Sequence, residues 1–316
     1  MNIPKVSVII PVYKVEQYIE RCAISLFSQT LDSIEYIFID DRSPDKSIEI
    51  LLNVLENFPE RKDQVKLIRH IENYGVGQSR LDGLKASTGE YIIHCDSDDW
   101  IDKEMYKKLY QEAKKTNSDI VICDYTEFKG KFIKEISQKI NINKENFLSQ
   151  LIRNEVHNGL WNKLIRRELY DKIENPFILG LNLCEDRNIM SRLAYNADKI
   201  SYLKKPLYHY NRNNNSSYTS NWKKENTESI LNLISINSSF FNDKGIDSTP
   251  FIEFGLYMIF LNISDEEREN LIHLIPKNID YSIFPTFLMK VYAFLLFNNK
   301  GKQYRFLRKF AQKFNA

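Results

Sequence analysis

A mostly parallel central sheet with flanking helices, followed by a helical C-terminal region, is the fold that this sequence predicts. Three observations lead there: short apolar runs that recur up to about residue 124, amphipathic stretches between them, and a C-terminal third that turns helical and aromatic. The runs are residues 6–12, 36–40, 65–68, 91–95 and 120–123. A strand covered on both faces reads as such a run rather than as an alternation. Between the runs, Met105, Leu109 and Ala113 recur every four residues, as one face of a helix does, and Ser43-Pro44 has the cap-then-proline arrangement of a helix start. Strand and helix in alternation argue for parallel strands joined by right-handed crossovers.

From residue 133 to 218 the signals are mixed. Helices are expected over 144–153 and 185–196, the second with Ile189, Leu193 and Ala197 as its buried stripe. The polar tract from Asn211 to Ser217 reads as a loop, which sets the expected domains at residues 1–218 and 219–316. A chain of 316 residues is long enough to bury a substantial core. With 43% hydrophobic and 27% charged residues it belongs with globular proteins, not disordered or fibrous ones, and a net charge of +2 points to no nucleic-acid partner.

The four cysteines, Cys22, Cys95, Cys123 and Cys184, show no C-x-x-C spacing and read as buried thiols in a reducing cytosol. Residues 1–5 run straight into a strand without the apolar region of a signal peptide, and no apolar run approaches the roughly 20 residues of a spanning helix. The expectation is a cytoplasmic protein, peripheral at most to the inner face of the membrane. No acidic residue follows Asp280, whereas Lys290, Lys300, Lys302, Arg305, Arg308, Lys309 and Lys313 do, with Phe294, Phe306, Phe310 and Phe314 among them. Such a tail suits an interfacial helix on anionic lipid. It equally suits a helix packed on the fold with its basic face in water.

In parallel α/β sheets, ligands bind beyond the carboxyl ends of the strands, and polar residues collect there: Pro11-Val12-Tyr13, Asp40-Asp41-Arg42-Ser43-Pro44-Asp45 and Asp96-Ser97-Asp98-Asp99. Three carboxylates within four residues repel one another in a cleft, and a cation is the simplest remedy. All-oxygen ligation suggests Mg²⁺ or Mn²⁺, which complete their shells with substrate phosphates. The plainer alternative is that Asp98 and Asp99 cap a helix beginning near Asp102. There is no G-x-x-x-x-G-K-[ST], and Gly75-Val76-Gly77 lacks the third glycine of a dinucleotide fingerprint.

The ordered set of segments resembles the inverting family-2 glycosyltransferases of the GT-A fold. It comprises residues 6–13, 25–30 and 40–47, then Asn73 to Arg80, Gly89-Glu90-Tyr91, Asp96 to Asp99, Glu185-Asp186 and the stretch from Tyr210 to Ser217. The resemblance implies transfer of a sugar from a nucleoside-diphosphate donor, with a UDP-sugar expected, to the hydroxyl of a glycan or lipid-linked acceptor in building a bacterial surface polysaccharide. Pro11, Tyr13, Asp41 and Arg80 would line the nucleotide pocket, Asp96 would lie by the ribose, and Asp98 would hold Mn²⁺ or Mg²⁺. Asp186 would be the general base with Glu185 in reserve, and Asp99, Trp161, Lys163 and Arg212 are candidates for the sugar or acceptor pocket. His157 and His209 are not spaced as a metal pair. Arg42 stands where the family usually has Gly, and Pro44 where it often has Thr. The rival readings are a nucleotidyltransferase of related fold and a catalytically silent nucleotide-sugar-binding protein.

Overall fold

A computed structural model describes residues 3–178, 180–181, 183–214 and 224–263, together with Leu271 and Phe297. The chain divides into two compact units, Met1–Leu148 with Asn158–Asn221, and Ser149–His157 with Trp222–Ala316.

The first unit opens with β1 (Val6–Val12), α1 (Ile19–Phe27), β2 (Ile34–Asp40), α2 (Ser47–Glu56), a 3-10 turn (Pro59–Gln64), β3 (Val65–Arg69), α3 (Val76–Ala86) and β4 (Tyr91–His94). It continues through β5 (Trp100–Ile101), α4 (Met105–Thr116), β6 (Ile120–Lys129) and β7 (Phe132–Ile136) to α5 (Lys144–Ile152), which runs across the boundary between the units. It ends with β8 (Lys163–Arg166), α6 (Arg167–Asp171), α7 (Glu185–Asn196) and β9 (Ile200–Asn211). The strands form one sheet in the order β3-β2-β1-β4-β8-β6-β9-β5, with β7 branching from β6.

The half β3-β2-β1-β4 is parallel throughout, as the apolar runs predict. Beyond it the sheet is mixed: β8 lies antiparallel between β4 and β6, and β9 runs parallel to β6 but antiparallel to β5. Sequence reading misses β9 because Lys204-Lys205-Pro206 interrupts its apolar pattern, and a proline inside a strand is a signal against one. Pro206 sits where the register with β6 shifts, opposite Asp124, so the missing N–H falls at an irregularity rather than in the regular ladder.

Helix α4 buries Met105, Tyr106, Leu109 and Ala113, the face that the four-residue spacing predicts. Helix α2 starts at Ser47, not at Ser43-Pro44: the Ser43 and Ser47 hydroxyls both donate to Asp45, which gathers that segment into a turn ahead of the helix. Helix α3 lies hard against the sheet, because a Cβ on Gly83 would come within 2.5 Å of Ile9 Cγ2 and 2.9 Å of Ile39 Cδ1. The four cysteines are free thiols, three of them buried.

The second unit contains α8 (Lys224–Asn242) and α9 (Thr249–Phe260). Gly255 lets the two approach closely, since a Cβ there would meet Ile234 Cδ1 at 2.7 Å and Ile230 Cγ2 at 3.2 Å. The basic tail lies outside the described residues except for Phe297, which is buried edge-on to Phe260. Among the described residues no helix is long and apolar enough to cross a membrane.

Candidate active site

The parallel pairing sets Val12 beside Asp40 and Ile9 beside His94. The segments that follow β1, β2 and β4 therefore emerge together, at the point where the strand order reverses, with β2 and β3 on one side of β1 and β4 on the other.

Each aspartate after β4 has different partners. Asp96 accepts from Arg80 Nη2 at 2.9 Å, and its N–H donates to the Tyr208 hydroxyl. Asp98 is half-buried and accepts from Asn214 Nδ2 at 2.9 Å. Asp99, only 1% exposed, accepts from the Tyr208 hydroxyl at 2.6 Å and from the Asn211 N–H at 2.7 Å. Burial, and then the charge of Asp96, pushes the Asp98 carboxyl up to about 6. Burial with Asp98 and Asp96 pushes Asp99 well above the carboxylate range. The protein thus leaves the ionised forms of these two carboxyls undercompensated.

Arg80, on α3 and almost fully buried, bridges two elements: one nitrogen donates to Asp96 and another to Glu185 at the start of α7. Burial opposes its charge, but Glu185 and then Asp96 hold its pKa above the ordinary value. Among the described residues its Nε has no hydrogen-bond partner. Glu185 is buried and pushed up to about 7 by burial, against the pull of Arg80. Asp186 is half-buried, and one of its oxygens accepts from the Arg187 N–H at 2.7 Å, within the first turn of its own helix. That helix starts from Cys184 in the left-handed region, at φ 60°.

The loop into α3 is fixed by Asp41, which accepts from His70 Nδ1 at 2.7 Å and from the N–H groups of Tyr74 and Gly75 at 2.8 Å each. Asp41 is buried and its carboxylate is committed to the protein. Pro11 is half-buried, and Tyr13 stands 40% exposed with Lys14 Nζ 5.0 Å from its ring centre. Arg42 occupies the left-handed region at φ 59°, a conformation natural to glycine.

The family model described as glycosyl transferase family 2 matches residues 7–174. The chain belongs to this family. It is 36% identical over 250 residues to the putative glycosyltransferase EpsH of Bacillus subtilis, covering 77% of this chain and 71% of that protein. It is 30% identical over 251 residues to the uncharacterized glycosyltransferase EpsJ of the same organism, covering 77% and 72%. Among solved structures, residues 1–349 of S. aureus TarS, in complex with UDP-GlcNAc, match with a TM-score of 0.71 at 18% identity, over 98% of this chain and 92% of that one. The mannosyltransferase PcManGT of Pyrobaculum calidifontis, in complex with GDP-Man and Mn²⁺, matches at 0.54 and 15%, over 76% and 65%. At such identities the structural likeness speaks for the fold, which is GT-A.

In this glycosyltransferase several expected pocket residues prove to be internal. Trp161 is buried, stacked on Tyr208 with ring centres 4.3 Å apart and on Tyr210 at 5.5 Å, so its indole packs in the core. Lys163 is fully buried; its Nζ donates to the Gly159 carbonyl at 2.6 Å and to Asn162 Oδ1 at 2.7 Å, and burial lowers its pKa to about 7 against the opposing charge of Asp186. Asp99 anchors β9 through Tyr208 and Asn211. Arg212 is exposed and lies 3.7 Å from Glu127. His209 packs beside Trp100 and Phe128, and His157 belongs to the second unit.

Sequence reading passed over His70, Tyr208, Asn211 and Asn214, which organise the acids. Asn211 and Asn214 stood within a segment of the family pattern, whereas nothing near His70 or Tyr208 singled them out. Among the described residues no three His, Cys, Asp or Glu side chains form a metal cage. The donor chemistry nevertheless suits Mg²⁺ or Mn²⁺, which need only one or two carboxylates when phosphates complete the shell.

Proposed function

We propose that this chain transfers a sugar from a UDP-sugar to an acceptor hydroxyl, with inversion, in building a bacterial surface glycan on a lipid-linked or polysaccharide acceptor at the inner face of the membrane. The first unit would carry the chemistry. The observation behind this reading is the bridge from Asp96 through Arg80 to Glu185, which ties the acid loop after β4 to the head of α7. The complex of TarS with UDP-GlcNAc, on the same fold, favours a uridine donor.

Tyr13 and Pro11 are at hand for the base, and Asp41 shapes the pocket by holding residues 70–75. Asp98, with Asp96 beside it, would hold the divalent cation; when bound, that ion supplies positive charge for the departing diphosphate. The acceptor oxygen attacks the anomeric carbon, the bond to the diphosphate breaks, and the hydroxyl proton passes to Asp186. Asp186 is preferred to Glu185 as the base because Glu185 is engaged by Arg80.

The test couples a thermal-shift screen of nucleoside diphosphates, with and without Mn²⁺, to product analysis. A ligand at about 100 times its Kd adds about 2.7 kcal/mol of stability, so UDP should raise Tm only with the metal. Asp186→Asn should lower transfer by about 10²-fold or more with UDP affinity unchanged. Absence of any nucleotide response would sink the reading, and release of pyrophosphate would make the chain a nucleotidyltransferase.

A further inference from the structure

The β6–β7 hairpin reaches past the covered part of the sheet. Its register runs from Tyr125 opposite Ile136 to Lys129 opposite Phe132, closed by Gly130 at φ 57° and Lys131. Every residue from Lys129 to Glu135 is exposed. Phe132 is 81% and Ile133 67% exposed; the other strongly exposed large apolar residues among those described, such as Ile3 and Ile71, stand singly. Lone exposed apolar residues need no explanation, whereas an adjacent pair at the tip of a hairpin does.

Successive side chains on a strand point to opposite faces, so Phe132 and Ile133 cannot both be covered by one flat protein partner. Pairing along the free edge of β7 would leave both faces open. Immersing the tip in a fluid apolar phase covers both at once. Around the pair stand Lys129, Lys131 and Lys134, against a single exposed acid, Glu135, since Glu127 has Arg212 beside it. Apolar side chains ringed by lysines match an anionic lipid surface, with acyl chains for the first and headgroups for the second.

We infer that the tip of this hairpin docks the protein on an anionic bilayer, with Phe132 and Ile133 entering the acyl boundary and Lys129, Lys131 and Lys134 meeting the headgroups. The hairpin is also tied to the site. The Arg212 N–H donates to the Phe128 carbonyl at 2.8 Å, the Gly130 N–H donates to Asn213 Oδ1, and the next residue, Asn214, donates to Asp98. A docked tip holds the acid loop close to the lipid surface, where a lipid-linked acceptor would lie. That last point rests on the proposed function; the docking itself does not.

The experiment is co-sedimentation of the full chain with vesicles of phosphatidylcholine alone and of phosphatidylcholine mixed with phosphatidylglycerol, at low and high salt. The wild type should bind only the mixed vesicles and release with salt. Lys129→Gln/Lys131→Gln/Lys134→Gln should bind about a hundredfold more weakly and Phe132→Ser/Ile133→Ser about tenfold or more weakly, both with unchanged Tm and UDP response. A wild type that stays in the supernatant overturns the inference. So does wild-type binding by both variants, which would move the contact elsewhere, such as to residues 290–316. Finding that the apolar variant loses only concentration-dependent self-association would assign the tip to a second copy of the chain and overturn it equally.

Discussion

Asp41 follows β2 and Asp98 follows β4, each within a run of acids at the end of a parallel strand, yet their surroundings differ in kind. Asp41 receives two backbone N–H groups and an imidazole nitrogen, and the neighbouring Asp40 receives the Ser43 N–H at 2.8 Å. Asp98 receives one side-chain amide and shares its loop with Asp96 and Asp99, whose carboxyls interact unfavourably with it. Donors turn the first acid into a structural anchor. Their scarcity leaves the second with negative charge to offer. The number of acids at a strand end therefore says less than the number of N–H groups that reach them.

The contrast is broken most directly at Asp98. Asp98→Ala should weaken metal-dependent UDP binding by at least about a hundredfold, since it removes a ligand where even supporting contacts are worth 10–100-fold. The metal-free Tm should hold or rise, because a carboxyl that burial and Asp96 disfavour is gone. Calorimetry with a parallel melt checks both, and a large fall in Tm would place Asp98 with the anchors.

Asp41→Ala should do the reverse. It strands the Tyr74 and Gly75 N–H groups and costs about 3 kcal/mol of stability, read as a Tm several degrees lower. Equal stability with lost UDP affinity would return Asp41 to direct contact with the nucleotide.

The same reasoning about partners extends to a buried cation. Burial lowers Lys163 to about 7, against about 10.4 in an unfolded chain. Below about pH 7 both states hold the proton, and the buried charge burdens the fold in full. As pH rises from about 7 towards 10, the folded protein gives up its proton first, so wild-type stability should climb relative to Lys163→Met, by on the order of a few kcal/mol. Urea denaturation at about pH 7 and about pH 9 tests this, and parallel curves would show that Lys163 stays protonated. The smallest effect is expected at Arg42, where Arg42→Gly relieves a left-handed residue and should add about 0.5–1 kcal/mol. A loss of stability there would mean that the Arg42 side chain contributes contacts outweighing the strain.

Strands β1, β2 and β4 were legible because each is buried on both faces, β3 because its short apolar run survives at the sheet edge, and α7 because Ile189 and Leu193 repeat at helical spacing. The acids themselves were legible too. Their partners were not: the groups that separate Asp41 from Asp98 come from residues 70–75 and 211–214, about 30 and 115 positions away, and no local pattern carries that information. Trp161 and Lys163 are the converse case, since an indole and an ammonium read as ligand groups in sequence and nothing local announces that neighbours such as Tyr208 and Gly159 enclose them. The strand that supplies Tyr208 and Asn211 was hidden by Pro206.

Arg80 lies between two carboxylates on separate elements, and a guanidinium shared in this way cannot answer one without the other. Whatever alters the charge at Asp96 alters how firmly the same group grips Glu185, and through it the first turn of α7. On the proposed reading, a ligand beside Asp96 and a ligand beside Asp186 are then coupled, and equilibrium requires that coupling to be mutual: any factor by which the first changes the affinity for the second is returned by the second to the first. The strength of that coupling becomes a property of one side chain, and replacing Arg80 should make the binding of the two substrates independent even where each still binds.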